Sequence, residues 1–134
     1  MESPIDQLIT LFNAKSMDLP DGLFDRKTQF VLNGSTFESL LSATPNDPLV
    51  LMLARGPAGY RFAAKALQHA VPDARLERGD GGLWLSGHLR GIEEPINTVV
   101  RYSLKLAAAG WVEVAEATVD QPILDKIKEA RLRT

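Results

Sequence analysis

The spacing of apolar residues changes at Pro72, and this change restricts the chain to a small set of folds. Before Pro72 the apolar residues recur every three or four positions, which is typical of amphipathic helices. After Pro72 they alternate with polar residues, which is typical of strands that have one buried face. Helices followed by consecutive strands predict an α+β fold, in which N-terminal helices pack on a curved antiparallel sheet.

The second half is predicted to form a four-stranded antiparallel meander. Its strands are expected at residues 74–78, 83–90, 96–106 and 111–119. The segment 79–82 contains three glycines, which supply the positive φ angles of a hairpin turn. Alternation then divides each strand into two faces. The face expected to point inward carries Leu83, Leu85, Leu89, Ile96, Thr98, Val100, Tyr102, Leu104 and Leu106. The opposite face carries Trp84, Ser86, His88, Arg90, Asn97, Arg101, Ser103 and Lys105.

The first half is predicted to hold helices and one short strand. A helix start at Ser3-Pro4 precedes an apolar stripe that ends at Phe12, and residues 28–32 indicate a strand that Asn33-Gly34 ends. The segment Ser35-Thr36-Phe37-Glu38 is a capping box for a helix ending near Ala43. Two prolines within residues 44–48 exclude a regular helix there. Residues 49–54 fit either a strand or a helix. A longer helix follows residues 56–59, Pro72 closes it, and a last helix is expected at 123–132 after Pro122.

Composition excludes several classes of function. The chain has 134 residues, 45% of them hydrophobic and 24% charged, which predicts one domain over 1–134. It has no cysteine, so disulfides, thiolate catalysis and cysteine-ligated metals are excluded. A net charge of −2 predicts no binding to nucleic acid. No apolar run is long enough to span a membrane, and the N-terminus is not a secretory signal, so we expect a cytoplasmic protein. The two histidines lie on separate segments, and no metal or cofactor is expected.

Four segments resemble one known superfamily, in order along the whole chain. They are residues 54–62 (Ala-Arg-Gly-Pro-Ala-Gly-Tyr-Arg-Phe), residues 71–77 (Val-Pro-Asp-Ala-Arg-Leu-Glu), residues 87–91 (Gly-His-Leu-Arg-Gly) and residues 111–114 (Trp-Val-Glu-Val). The chain resembles the nuclear transport factor 2-like superfamily, which includes ketosteroid isomerase and the polyketide-cyclase-like proteins. The resemblance implies a cone-shaped, cystatin-like fold. Residues 35–48 depart from the pattern, because the segment is longer and richer in proline than the superfamily's usual connection.

The resemblance also implies a pocket between the first helices and the concave face of the sheet, for small apolar or aromatic ligands. The residues expected to line it are Phe12, Phe24, Phe30, Tyr60, Val100 and Tyr102. The alternative is that these side chains are ordinary core, because an apolar stripe packs first and binds a ligand only where a cavity is left.

The other face of the sheet commonly pairs with a second subunit in this superfamily. The residues expected at such a homodimer interface are Trp84, His88, Arg101 and Trp111. Two tryptophans on a half-polar face favour this interpretation, because large exposed aromatic side chains are enriched at interfaces.

No complete catalytic set is identifiable. His88 and Tyr102 are the candidates for acid–base chemistry, but His88 alternates with the outward face. The helix-terminal His69 is expected to be structural, Arg101 to form an ion pair with Glu113 or Glu116, and Asp25, Asp73 and Asp120 to be turn or cap residues. We therefore expect a small-molecule-binding or homodimerising domain. The alternative is a small-molecule isomerase, dehydratase or cyclase that uses acid–base chemistry in the pocket.

Overall fold

A computed structural model describes residues 4–16, 18–20, 22–41 and 47–132 of the chain. Five helices and six strands lie in this described part. The helices are α1 (Pro4–Asn13), α2 (Phe37–Leu41), α3 (Pro48–Ala54), α4 (Gly56–Ala70) and α5 (Gln121–Arg131). The strands are β1 (Phe24–Leu32), β2 (Ser35–Thr36), β3 (Arg75–Gly79), β4 (Gly82–His88), β5 (Pro95–Leu106) and β6 (Val112–Thr118).

The six strands follow the order β2-β1-β6-β5-β4-β3. The pairs β1–β2, β3–β4 and β4–β5 are antiparallel, whereas β1 and β6 run parallel. The prediction of an α+β fold with a mostly antiparallel sheet is therefore confirmed. The parallel pair was not predicted, because it joins strands that lie about eighty residues apart and local periodicity carries no information on such partners.

The chain consists of two compact units. The first unit comprises residues 1–18, 64–101 and 119–134, and the second comprises residues 19–63 and 102–118. That the whole chain forms a single domain stays a prediction.

In the first unit, the β3–β4 hairpin has the predicted turn. Gly79 pairs with Gly82, and Gly81 has a φ of 85°, so residues 80 and 81 form the tight connection. Strand β3 is the last strand of the sheet, and Asn13 of α1 covers part of its edge. The Asn13 Nδ2 donates to the Leu76 carbonyl at 2.9 Å, and the Leu76 N–H donates to Asn13 Oδ1 at 2.8 Å. This two-way contact satisfies edge groups that an open strand exposes.

The predicted faces of β4 and β5 are largely confirmed by burial. Leu85, Leu89, Ile96 and Thr98 are buried. Trp84, Ser86, His88, Asn97 and Arg101 are exposed. Leu106 is the exception, because it is 54% exposed although its parity places it on the inward face. It is the last residue of β5, and the turn to β6 begins directly after it.

In the second unit, β1 begins at Phe24, four residues before the predicted start. Residues 25–27 (Asp-Arg-Lys) are all polar, so this first part of the strand lacks the alternation of apolar and polar residues that predicts a strand. At the other end of β1, Asn33 and Gly34 both have positive φ angles and connect β1 to the short strand β2. That geometry is the two-residue hairpin for which Asn-Gly is typical.

The helices follow local capping signals. The Ser39 N–H donates to Thr36 Oγ1 at 3.3 Å, so Thr36 caps α2, one residue after the Ser35 cap that the predicted capping box implies. The ambiguous segment 49–54 is helical, because Asp47 Oδ1 accepts the Leu49 N–H at 2.9 Å and Pro48 occupies the first turn. Pro122 also lies inside the first turn of a helix, α5, because proline is tolerated there, and it does not precede the helix. The predicted Ser3 cap and most of the predicted break, residues 44–46, lie outside the described residues.

Candidate functional site

The second unit contains a hollow of about 430 Å³ at the start of α4. Among the described residues, it is lined by Arg26, Met52, Arg55, Pro57 and Ala58. We call it the α4 hollow. Its volume falls within the range of about 300–1,000 Å³ that is typical of small-molecule sites.

A bulge in β1 carries Arg26. Phe24 pairs with Val112 and Gln29 pairs with Val114, so five steps along β1 correspond to two along β6. Thr28, which is fully buried, holds this bulge in place. Its hydroxyl donates to the Val112 carbonyl and accepts the Asp25 N–H at 2.9 Å, so it replaces ladder bonds that the bulge interrupts. Bulges commonly redirect a side chain next to a functional site.

Gly56 allows the start of α4 to approach this bulge closely. Its φ is 66°, and a Cβ at this position would lie 2.9 Å from the Asp25 carbonyl oxygen and 3.1 Å from the Arg26 Cα. Any other residue would meet backbone atoms there and would also adopt an unfavourable φ. The glycine of the Arg-Gly segment therefore has a structural role, because it places Pro57 and Ala58 beside Arg26.

Arg55 is held from two sides. Its backbone forms an isolated antiparallel bridge with Gln29 of β1, and its Nε donates to Glu38 Oε1. The Glu38 side chain is only 13% exposed, whereas the Arg55 side chain is 37% exposed. The hydrogen bond to Glu38 raises the pKa of Arg55, so the guanidinium stays charged. Glu38 thus orients Arg55 and does not reach back to cap α2.

Apolar side chains complete the rim of the α4 hollow. Met52 of α3 lines it and is 59% exposed, and Leu49, one helical turn earlier, is equally exposed. Residues three apart on a helix lie on the same side, so the two side chains extend one apolar surface. The hollow therefore combines two arginine side chains with an apolar wall.

The six predicted pocket residues lie in different places. Phe24, Phe30 and Tyr60 pack together in the second unit, with ring centroids 5.4 Å apart for Phe24–Phe30 and 5.7 Å apart for Phe24–Tyr60. Tyr102 also belongs to the second unit. The remaining two, Phe12 and Val100, belong to the first unit. None of the six lines the α4 hollow, and their contact with a ligand stays a prediction.

Tyr60 carries an unusual hydroxyl. The oxygen is buried and has no hydrogen-bond partner among the described residues. Burial raises the pKa of Tyr60, because the phenolate is poorly solvated in that environment. The ring stacks on Phe24, and within the described part of the chain the side chain is anchored by apolar contacts.

The first unit has a shallower hollow of about 440 Å³ between α1 and β3. Charged side chains on its walls already pair with one another. Arg78 Nε contacts Asp6 Oδ1 at 2.5 Å, and Arg75 Nε contacts Glu77 Oε1 at 3.3 Å. Because these pairs compete with a ligand for the same groups, this hollow is the weaker candidate.

His88 and Asp73 form an exposed pair at the end of β4. Asp73 Oδ2 lies 2.7 Å from His88 Nδ1, and Asp73 Oδ1 accepts the His88 backbone N–H at 2.7 Å. Hydrogen bonds from His88 lower the pKa of Asp73. A carboxylate at Nδ1 orients an imidazole for proton transfer at Nε2, but neither residue lines the α4 hollow. Asp73 lies in the turn after α4, as predicted, and its carboxylate also holds the neighbouring strand.

Other predicted functional residues are distributed as follows. Trp84, His88 and Arg101 share one face of the β4–β5 pair, because Trp84 pairs with Val99 and Leu83 pairs with Val100. Trp111, in the second unit, is half-buried. Glu113 pairs with Lys105 at 3.9 Å. In the described part of the chain no three His, Asp or Glu side chains are grouped as a metal site.

Two solved structures are similar to this chain. One is an uncharacterised protein conserved in bacteria, with a cystatin-like fold, from Silicibacter pomeroyi DSS-3. It matches with a TM-score of 0.57 and 13% identity over 98% of this chain and 84% of that chain. The other is an NTF2-like protein of unknown function from Exiguobacterium sp. 255-15. Its TM-score is 0.57, with 14% identity over 89% of this chain and 99% of that chain. This chain has the nuclear transport factor 2-like fold.

The fold that the sequence resemblance implied is therefore confirmed. At 13–14% identity these structures carry the fold alone, and both proteins are themselves of unknown function. No family model matches the chain, and no curated protein matches its sequence. None of the described helices is long and apolar enough to cross a membrane.

Arg26 and Met52 were not predicted from the sequence as site residues. Arg55 was noted only as part of the segment that carries the resemblance. A weak sequence signal for Arg26 is the run Asp25-Arg26-Lys27-Thr28 between apolar residues, because it interrupts the alternation expected of a strand. The pairing of Arg55 with Glu38 joins residues seventeen positions apart, across a segment whose course the sequence left open.

Proposed function

We propose that this chain is a small-molecule-binding domain and that its site is the α4 hollow. The observation that carries the proposal is the hollow itself, which has the volume of a small-ligand site and an apolar rim of Met52, Pro57 and Ala58. The proposed ligand is a small molecule with an apolar or aromatic body. A cytoplasmic location is part of the same proposal.

The position of the hollow supports this assignment. Its walls come from a strand bulge, a helix start and a neighbouring short helix, and the close approach at Gly56 fixes two of these relative to each other. A concave site built on packed backbone keeps its shape without a ligand, which lowers the entropy cost of binding.

Binding is tested with N-phenyl-1-naphthylamine, an uncharged aromatic probe whose fluorescence increases in apolar surroundings. We expect a saturable increase with the wild-type protein and its loss in the Ala58→Trp variant, because an indole at position 58 fills the hollow. Ala108→Trp is the matched control, since Ala108 is exposed in the turn between β5 and β6. The proposal is wrong if the wild type gives no saturable signal, or if Ala58→Trp binds as tightly as Ala108→Trp.

A second candidate function is homodimerisation through the outer face of β4 and β5. Trp84 favours it, because this large side chain is 38% exposed and lies directly opposite Val99 on the same face. Part of the Trp84 ring covers Gly79, so its remaining surface is held in a fixed orientation. Fixed, exposed aromatic surface next to an arginine such as Arg101 is typical of interface centres.

Sedimentation velocity at micromolar concentration tests the dimer. We expect a dimer for the wild type and a monomer for Arg101→Glu, which leaves the Trp84–Gly79 contact in place. Lys65→Glu is the control, because it makes the same charge change on the exposed side of α4. A wild-type protein that sediments as a monomer at every concentration would exclude this function.

A further inference from the structure

We propose that the α4 hollow binds organic acids, with the acidic group held between Arg26 and Arg55 and the apolar body on Met52 and Pro57. This inference rests on the proposed function and specifies its ligand class. The placement of two arginine side chains beside an apolar wall carries it. Guanidinium groups bind carboxylate and sulfonate groups through paired charge-assisted hydrogen bonds.

The local charge balance leaves the hollow cationic. Among the described residues Arg55 has one carboxylate partner, Glu38, whose Oε1 accepts from Nε. A guanidinium has five N–H donors, so this contact leaves four of them for other acceptors. Glu38 is mostly buried and fixes Arg55 in one orientation. Among the described residues that line the hollow, two side chains are cationic and none is anionic, and Glu38 compensates Arg55, which suits one acidic group and not a polyphosphate.

Arg26 is the arginine whose positive charge is not balanced by an ion pair within the described residues. It is exposed on the bulge. Asp25, the preceding residue, does not line the hollow, and its Oδ2 accepts the Lys27 N–H at 3.0 Å in a local turn. In the described part of the chain, an incoming anion therefore has no ion pair to displace at Arg26.

The remaining wall adds to this preference. Pro57 and Ala58 form the first turn of α4, a fifteen-residue helix, and the positive end of its dipole lies at this turn. Met52 supplies apolar contact on the other side. A neutral apolar ligand would use only the second of these features, whereas an organic acid uses both.

A matched pair of probes tests the inference. The first, 8-anilinonaphthalene-1-sulfonate, is N-phenyl-1-naphthylamine with one added sulfonate, so the difference in affinity between them reports the acidic group. We expect the wild type to bind the sulfonate probe about ten-fold more tightly than the neutral one. Arg26→Gln is expected to reduce this preference, measured as the ratio of the two affinities in the same variant. Lys27→Gln, the neighbouring exposed cation outside the hollow, is the control and is expected to retain it.

The outcomes separate this inference from the proposed function. If both probes bind with equal affinity and Arg26→Gln changes neither, the organic-acid inference is wrong while the binding function stands. If Lys27→Gln weakens sulfonate binding as much as Arg26→Gln, general surface charge explains the effect and the inference is also wrong. If the wild type binds neither probe, both proposals fail. Circular dichroism of each variant checks that it is folded.

Discussion

Replacing Thr28 with valine tests whether one buried hydroxyl holds the bulge that carries Arg26. Valine has nearly the same shape as threonine, so the change removes the hydroxyl without opening a cavity. The Asp25 N–H and the Val112 carbonyl then lose their partner in a position where Thr28 is fully buried. An unsatisfied buried polar group costs about 1–3 kcal/mol, and the added methyl group returns about 1 kcal/mol.

We therefore expect Thr28→Val to lower the free energy of unfolding by about 2 kcal/mol, from two lost contacts offset by one buried methyl group. For a chain of this length, that corresponds to a fall in Tm of roughly 7 °C. Urea unfolding followed by tryptophan fluorescence measures the first value, and calorimetry measures the second. The same variant is expected to weaken binding of the sulfonate probe, because the bulge no longer holds Arg26 in one position.

Thr28→Ser is the matched control, since it keeps both hydrogen bonds and loses only a methyl group, at a cost of about 1 kcal/mol. The expected order of stability is wild type, then Thr28→Ser, then Thr28→Val. A valine variant as stable as the wild type, or more stable than the serine variant, would refute the role assigned to the hydroxyl.

Two further substitutions test single contacts. Tyr60→Phe removes a buried hydroxyl that has no partner among the described residues. It is expected to raise the free energy of unfolding, measured in urea, by about 1 kcal/mol. A loss of stability would contradict the assignment. In a Tyr102→Phe background, where Tyr60 is the only tyrosine, absorbance should show phenolate forming above the usual pKa of about 10. Asp73→Asn tests the contact with His88. Because the folded pKa of Asp73 is lowered, its stabilisation is complete above the unfolded pKa of about 3.9 and is lost as pH falls through the folded value. The stability difference between wild type and Asp73→Asn should therefore shrink in acid, and a constant difference from pH 7 to pH 2 would exclude the ion pair.

Local pattern was sufficient to predict the part of the fold that depends on alternation. Leu85 and Leu89 are buried and Trp84 and His88 are exposed, as parity alone indicated, because a strand with one buried face has only two ways to place its side chains. The start of α2 was predicted to within one residue, because Thr36 and not Ser35 of the predicted capping box is the cap. Asn33-Gly34 was treated only as the end of a strand, although this dipeptide is itself a hairpin signal and could have predicted β2.

The α4 hollow was not predictable by the same means, because the contacts that bring Arg26 to it and orient Arg55 join segments distant in sequence. Arg26 lies there because Thr28 bonds to a carbonyl 84 positions later. Arg55 is oriented there because Glu38, which is 17 positions earlier, pairs with it. The charged run at 25–27 gives a weak local sign of the bulge, yet the same residues on an unbulged edge strand would look identical in sequence. What distinguishes the two cases is the buried threonine that follows the run. A polar residue without charge at a core position requires partners, and identifying those partners would have located the bulge and, with it, Arg26.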